Sequence, residues 1–309
     1  MKPYPVHKDF SKLHFTVPLY SPVLPILQRI TRLHYRLQQL PEGIDYHETT
    51  IVGHDGYPVP LEICSPALGN FMTPCIFLIH GGAFVLPAAA HHKHLMADYA
   101  VGCSAHVILV DYRLAPQHPY PYGLEDCFSA YNWILEHADE LHIDARKIAI
   151  CGDSAGGALA AGLTHLIRDR QLPAPQFCML IYPVLDARCN TNSMKQFPDT
   201  PIWNAKLNKK MWKLYASHVQ KSPVSSYMSP NEASAFHGLP AGYIEVNEYD
   251  CLRDEAIEYY HKLKNQGIDI KLVQTKGTIH GFEMNYESVY TQQLINKRIE
   301  YMKTQFAAV

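Results

Sequence analysis

Short apolar runs recur along this chain, and segments with apolar residues at helical spacing separate them. The expected strands cover residues 47–52, 59–63, 75–79, 107–110, 148–151, 177–181, 243–246 and 270–273. Runs of this length suit strands that helices cover on both faces. Their alternation with helical segments predicts an α/β fold, in which helices flank a mostly parallel central sheet.

Two segments interrupt this alternation. The first is an N-terminal stretch that is predicted to form a helical arm with one apolar stripe. That stripe consists of Ile26, Ile30, Leu33 and Leu37. The second covers residues from about 187 to 235, with polar turns around a helical core at 211–215. An insertion of that length between two strands is usually functional and often acts as a lid, so we expect it to contribute to a site.

The balance of charges excludes several classes of protein. The chain of 309 residues has 27 lysines and arginines against 29 aspartates and glutamates, for a formal net charge of -2. Nucleic-acid binders usually carry a basic patch, and polybasic membrane-surface proteins carry clustered lysines. The near balance of charges therefore argues against both classes. No apolar h-region follows the early lysines, and no run approaches the ~18 residues that span a bilayer. We therefore expect a cytoplasmic protein with no membrane span.

A glycine-rich motif gives the strongest local signal. The motif is Gly152-Asp153-Ser154-Ala155-Gly156-Gly157. It follows the strand at 147–151 and precedes a helix-forming run at 158–168. A serine in G-x-S-x-G on a strand-to-helix turn is the arrangement of a nucleophile elbow. The context predicts that Ser154 is a nucleophile.

A second motif directly follows the strand at 75–79. It reads His80-Gly81-Gly82-Ala83-Phe84. Serine hydrolysis needs N–H donors that point at the developing oxyanion, and a glycine pair after a strand can supply them. The predicted donors are the backbone N–H groups of Gly81, Gly82 and Ala155.

The remaining partners of a serine nucleophile are an acid and a histidine, in the chain order Ser, Asp, His. Asp250 follows the strand at 243–246, and His280 follows the strand at 270–273. Both lie past the carboxyl ends of strands, where open α/β sheets build their sites. Glu248, Asp254 and Glu255 compete with Asp250, although the last two suit the start of the next helix.

Four positions in a row, His91-His92-Lys93-His94, resemble a metal-binding cluster. No carboxylate or cysteine lies at a recognisable spacing from them, so a solvated helix start is the preferred interpretation and no metal is expected. None of the eight cysteines forms a Cys-x-x-Cys pair, which excludes a zinc ribbon and predicts reduced thiols in the core. No nucleotide-binding glycine loop follows any strand.

Taken together, the motifs resemble those of the hormone-sensitive-lipase-like carboxylesterases of the α/β-hydrolase superfamily. The matching segments are His80-Gly81-Gly82, 152–157, Asp250-x-Leu252-Arg253-Asp254-Glu255, His280-Gly281-Phe282, Asp111-Tyr112-Arg113-Leu114-Ala115-Pro116 and Tyr182-Pro183. The resemblance implies the α/β-hydrolase fold, no cofactor, and Asp250 as the acid. It also implies a helical cap, built from an arm at 1–45 and the insertion at about 187–235, on a catalytic domain at 46–309.

The expected function is that of a serine carboxylesterase, which hydrolyses small short-acyl esters through an acyl-enzyme. The expected walls of its pocket are Phe84, Trp203, Met211, Trp212, Tyr215 and Phe282. An amide deacetylase or peptidase with the same triad is an alternative, and so is a non-catalytic small-molecule receptor on this fold. His280 argues against the receptor. A small ester is the expected partner, and a homo-oligomer is possible.

Overall fold

The structure is a computed structural model that describes residues 4–19, 22–67, 71–219 and 225–308. Its strands are β1 (Ile44–Val52), β2 (Pro58–Pro66), β3 (Thr73–Ile79), β4 (His106–Val110), β5 (Ile143–Asp153), β6 (Phe177–Ile181), β7 (Ala241–Tyr249) and β8 (Ile270–Ile279). Its α-helices are α1 (Leu24–Arg36), α2 (Ala90–Cys103), α3 (Tyr122–Glu136), α4 (Ala155–Asp169), α5 (Asn192–Gln196), α6 (Ala205–Tyr215), α7 (Arg253–Asn265) and α8 (Val289–Ala307).

All of these strands belong to one sheet, in the order β1-β2-β4-β3-β5-β6-β7-β8. The pairs β1–β2 and β2–β4 are antiparallel, and every other pair is parallel. Each strand expected from the sequence falls within an observed strand, so the predicted mostly parallel sheet is confirmed. The parallel strands β3, β5, β7 and β8 all end at the same edge of the sheet, and their following loops meet there.

Side chains alternate between the two faces of the central strands, as the strand repeat requires. In β3, Phe77 and Ile79 belong to the apolar layer beneath α3, α4 and α7, whereas Ile76 and Leu78 belong to the layer beneath α2 and α8. Burial on both faces explains why the strand is apolar at consecutive positions.

The cysteines are free thiols, and all of them except the partly buried Cys189 lie in the interior. Burial raises the pKa of the Cys178 thiol to about 12. A thiol with a raised pKa is a poor nucleophile, so these cysteines act as small apolar side chains.

The N-terminal arm and the insertion meet one another. Thr16 forms a parallel bridge with Ile202, and the Ile202 N–H donates to the Phe15 carbonyl over 2.6 Å. The predicted arm helix is present as α1, and the insertion contains α5 and α6. Within the described ranges, no helix combines the length and the apolar character needed to cross a bilayer.

Candidate active site

Ser154 lies on a sharp turn between β5 and α4. Its φ of 54° and ψ of −118° are values that a residue with a side chain rarely adopts. Flanking glycines make the turn possible: a Cβ on Gly152 would lie 2.3 Å from the Gly156 carbonyl oxygen. One on Gly156 would lie 2.0 Å from the Ile79 carbonyl oxygen. The strand–turn–helix arrangement expected from the sequence is therefore present at Ser154.

A continuous line of hydrogen bonds joins Ser154, His280 and Asp250. His280 Nε2 lies 2.8 Å from Ser154 Oγ, and His280 Nδ1 lies 2.8 Å from Asp250 Oδ2. An ionised carboxylate only accepts hydrogen bonds, so Nδ1 donates to Asp250 and Nε2 is left to accept from the Ser154 hydroxyl. Asp250 is fully buried, and its Oδ1 accepts the Leu252 N–H over 2.9 Å. The fold thus brings together the three residues expected to form the triad.

The three acidic residues that compete with Asp250 each have another partner. Glu248, Asp254 and Glu255 accept backbone N–H groups from Gly277, Ser193 and Leu185, at 2.8, 2.7 and 2.6 Å respectively. Within the described chain, Asp250 alone among them contacts His280. Asp254 is the second residue of α7, at the helix start where the sequence placed it.

The oxyanion donors differ from the sequence expectation at one position. The Gly81 N–H donates to Asp153 Oδ1 over 2.9 Å, so it is not free for a substrate oxygen. By contrast, the N–H groups of Gly82, Ala83 and Ala155 have no hydrogen-bond acceptor among the described residues. Gly82 has a φ of 120° and Ala83 a φ of 57°, which turn the loop beside Ser154. The Gly81 N–H is therefore already bonded, contrary to the expectation, and in the described chain the free N–H groups beside Ser154 are those of Gly82, Ala83 and Ala155.

Asp153 connects the serine elbow to the loop after β3. Besides the Gly81 N–H, its Oδ1 contacts His92 Nε2 at 3.0 Å, and His92 Nδ1 accepts the Ala89 N–H over 2.9 Å. Burial favours the protonated form of Asp153, but the adjacent His92 outweighs it and lowers the pKa of that carboxyl well below its usual range. Asp153 therefore stays charged and holds Gly81 in place. Its position within the serine motif was visible in the sequence, but its role was not.

The histidine run begins α2, as expected, but it is not solvated. His92 and Lys93 are buried, and both His91 and His92 border the same cavity as Ser154. Ligand atoms of His91, His92 and Asp153 lie within 4.8 Å of one another, so among the described residues these three form a group that could hold a metal. His92 and Asp153 already satisfy one another by hydrogen bonding. Burial lowers the pKa of His91 well below its usual value, which keeps its imidazole neutral.

An apolar cavity of about 300 Å³ opens onto Ser154 and His280. The N-terminal arm contributes Phe15, Val17 and Leu27 to its wall, and the insertion contributes Ile202 and Trp203. The indole of Trp203 lies 6.0 Å from the His280 ring. Two segments that are distant in the sequence therefore enclose the catalytic side chains together.

Of the six aromatic and sulfur residues expected to line a pocket, Trp203 alone lines this cavity within the described chain. Phe84 stacks on Tyr215 with ring centroids 3.7 Å apart. Met211 and Trp212 are buried in the same core layer. Phe282 is fully buried and packs 5.5 Å from Phe10. The expectation fails for these five residues at this cavity, because α6 presents its apolar face to the core and the rings of Phe84 and Phe282 pack against other buried aromatic rings.

A buried ionic cluster supports the loop that carries His280. Arg298 of α8 bonds to Glu283 over 2.6 Å and to Glu245 of β7 over 2.5 Å, and all three are buried. Glu283 in turn accepts the Tyr182 hydroxyl over 2.5 Å, and the Tyr182 ring lies 4.8 Å from His280. No local sequence pattern marks Arg298, so its role was not predicted from the sequence.

The fold and this site define the class of protein. A family model described as alpha/beta hydrolase fold matches residues 76–284. The chain belongs to the hormone-sensitive-lipase-like family of α/β hydrolases, as the motifs indicated, and it is a carboxylic ester hydrolase.

Particular relatives agree with this assignment. The chain is 35% identical to the esterase LipI of Mycobacterium tuberculosis, over 84% of this chain and 83% of the relative. It is 29% identical to an ethyl acetate hydrolase of Pseudomonas putida, over 76% of this chain and 74% of that protein. A solved bacterial heroin esterase superposes with a TM-score of 0.87 at 30% identity, covering 94% of each chain.

Proposed function

We propose that this protein hydrolyses small short-acyl carboxylic esters through a Ser154–His280–Asp250 triad and a covalent acyl-enzyme. The observation that carries the proposal is the unbroken Ser154–His280–Asp250 line, with both hydrogen bonds at 2.8 Å, at the wall of an apolar cavity. Such a line supplies a nucleophile, its general base and the group that orients that base.

In the first step, Ser154 Oγ attacks the ester carbonyl carbon, and His280 Nε2 takes the hydroxyl proton. The imidazolium that forms is stabilised by Asp250, which also keeps the ring in the tautomer with Nε2 free. Because Asp250 is held by the Leu252 N–H as well, it is fixed in position before the substrate binds.

The carbonyl oxygen becomes negatively charged as the tetrahedral intermediate forms. The N–H groups of Gly82, Ala83 and Ala155, which have no acceptor in the described part of the chain, supply donors for that oxyanion. Ala155 is the first residue of α4, so the positive end of the helix dipole adds to its effect. His280 then gives its proton to the leaving alcohol, and the acyl group stays on Ser154.

Water completes the cycle by the same route. His280 removes a proton from a water molecule, and the resulting hydroxide attacks the acyl carbon. The second tetrahedral intermediate collapses with return of the proton to Ser154 Oγ and release of the carboxylic acid. No step needs a group that the chain does not supply.

The preference for short acyl groups rests on the size and chemistry of the cavity. Small-molecule sites measure about 300–1,000 Å³, so a cavity of about 300 Å³ lies at the small end. The wall formed by Ile202 and Trp203 limits the length of acyl chain that fits without displacing the N-terminal arm or the insertion. We propose that these two segments form the cap of the enzyme.

The test is to trap the acyl-enzyme. The full chain is mixed with excess nitrophenyl acetate, quenched in acid and digested, and the peptide that contains Ser154 is examined by mass spectrometry. We expect one acetyl group on Ser154 in the wild type and none in Ser154→Ala, which should also lose turnover by about 10⁶-fold. Near wild-type activity of Ser154→Ala would refute the triad. A parallel assay with the nitroanilide of the same acyl group tests the amide alternative, for which no contact in the site gives specific support.

A further inference from the structure

Helix α1 presents an apolar stripe to solvent. Ile26, Ile30, Leu33 and the following Leu37 are 61%, 58%, 61% and 68% exposed. Their spacing of four, three and four residues places them on one face, while Leu24 and Tyr35 anchor the opposite face in the protein. Single exposed apolar residues are ordinary, but a continuous row on one helix marks an interaction surface. We call these four residues the α1 stripe.

Basic residues border one side of the α1 stripe. At about 100° per residue, Arg29 and Arg36 lie in one row beside it. Both are exposed, and within the described chain neither has an ion-pair partner. The helix contains no aspartate or glutamate, and its third arginine, Arg32, pairs with Asp111. The net charge of -2 for the whole chain therefore conceals a local positive row.

The other side of the α1 stripe leads to the active site. Leu27 and Thr31 each lie one residue after a member of the stripe, and both line the cavity that holds Ser154. Phe15, which is 45% exposed, belongs to the same wall. Whatever covers the α1 stripe would therefore lie next to the cavity.

Two occupants suit an apolar stripe with this spacing, and the charges distinguish them. The four-three-four spacing is that of a coiled-coil seam, which a second copy of the chain could complete. In an antiparallel pair, however, Arg29 and Arg36 of the two copies would face one another. In a parallel pair they would find no acidic partner on α1. An anionic lipid surface satisfies both features, because it offers apolar chains to the stripe and phosphates to the arginines.

We propose that α1 docks this protein onto an anionic lipid–water interface, with the α1 stripe among the acyl chains and Arg29 and Arg36 at the lipid phosphates. Docking in this orientation brings the cavity next to the surface, where weakly soluble esters accumulate. The binding itself does not depend on the triad, so it is tested separately from catalysis.

The experiment is sedimentation of the full chain with vesicles of phosphatidylcholine alone or of phosphatidylcholine with one-quarter phosphatidylglycerol. We expect binding to the anionic vesicles that weakens with added salt, and little binding to the neutral ones. Ile30→Glu should reduce the partition constant by about tenfold or more. Arg29→Gln and Arg36→Gln should each reduce it by about fivefold. The matched control is Val101→Glu, which alters an exposed apolar residue on α2 and should bind as the wild type does.

Hydrolysis of soluble nitrophenyl acetate reports whether each variant is folded, and all four variants should retain it. The proposal is overturned if the wild type does not sediment with anionic vesicles, or if Ile30→Glu and Val101→Glu bind equally well. It is also overturned if the wild type is a dimer by sedimentation equilibrium that Ile30→Glu dissociates while vesicle binding is absent. That last outcome would assign the α1 stripe to a second copy of the chain.

Discussion

Asp153 and Gly81 are joined by a 2.9 Å hydrogen bond from the Gly81 N–H to the Asp153 carboxylate. This contact ties the residue before Ser154 to the first glycine of the loop after β3. It occupies the Gly81 N–H, whereas the next two N–H groups, of Gly82 and Ala83, have no hydrogen-bond acceptor among the described residues. The geometry of the proposed oxyanion site therefore depends on the Asp153 side chain, which holds the loop and is not one of the proposed donors.

Removal of that carboxylate should impair turnover more than substrate binding. In Asp153→Ala the loop loses its anchor, and a displacement of about 1 Å can cost up to 10²-fold in rate. We expect kcat to fall by about 10- to 100-fold with KM little changed. Asp153→Asn, which keeps one acceptor oxygen for the Gly81 N–H, should recover part of the loss. Steady-state kinetics with nitrophenyl acetate measure both, and equal kcat values for Asp153→Ala and the wild type would contradict this role.

Asp250 and Asp254 should respond very differently to the same substitution. In a serine protease, the change of the triad aspartate to asparagine cost about 10⁴-fold in kcat because the histidine adopted the wrong tautomer. We expect a loss of that order for Asp250→Asn. Asp254→Asn weakens a contact with the Ser193 N–H and the start of α7, so it should cost about 1 kcal/mol of stability and leave kcat unchanged. The reverse order in kcat would show that the acid is misassigned.

Trp203 should set the acyl-chain limit. Each methylene that fits adds up to about 0.8 kcal/mol of binding, so kcat/KM should rise from acetyl to butyryl esters and fall at octanoyl. Trp203→Ala removes part of the wall and should move the optimum to longer chains. The control is Trp133→Ala, because Trp133 lies on α3, where it stacks on His137, and does not line the cavity. A wild-type optimum at octanoyl or longer would refute the short pocket.

Chelators should leave hydrolysis unchanged, because the proposed mechanism uses only side chains and backbone N–H groups. The measurement is kcat/KM before and after incubation with EDTA and gel filtration. Loss of activity that zinc restores in the wild type, but not in His91→Ala, would show instead that His91, His92 and Asp153 hold a metal. His94→Ala is the control, because His94 belongs to the same helix and contacts Gln38 instead.

The buried His165 should make stability depend on pH. It lies on α4 with its Nε2 3.0 Å from the Tyr259 hydroxyl, and burial lowers its pKa to about 4. In the unfolded chain its pKa is about 6.5, so between these values the unfolded state binds more protons. The contribution of the neutral, buried His165 to the free energy of unfolding is fully present above pH 6.5, and it is lost as the pH falls towards 4.

The comparison with His165→Gln isolates this effect. From pH 7 to pH 5, the free energy of unfolding of the wild type should fall by about 2 kcal/mol more than that of the variant. Urea unfolding at the two pH values measures both. Parallel pH dependence in the two proteins would mean that His165 is readily protonated in the folded state.

Much of this protein was predictable because its signals are local. The order of strands and helices follows from the spacing of apolar residues, and Ser154, Asp250 and His280 each follow a strand that ends at one edge of the sheet. The glycine at 152 helps to specify the turn at Ser154, since a side chain there would collide with the backbone of Gly156, four residues further on. These features depend on residues that are close in the chain, and the sequence alone was sufficient for them.

Other features were set by contacts between residues far apart in the sequence. Asp153 is hydrogen-bonded to His92 and Gly81, which are 61 and 72 positions away in the sequence. No local pattern could therefore show that the Gly81 N–H is already bonded. The helical repeat of α6 predicted an apolar face at Met211, Trp212 and Tyr215, but the repeat is the same whether that face covers a cavity or the core. Only the packing of the arm and the insertion on the sheet decides which side chains reach the substrate, because burial is a property of the whole fold.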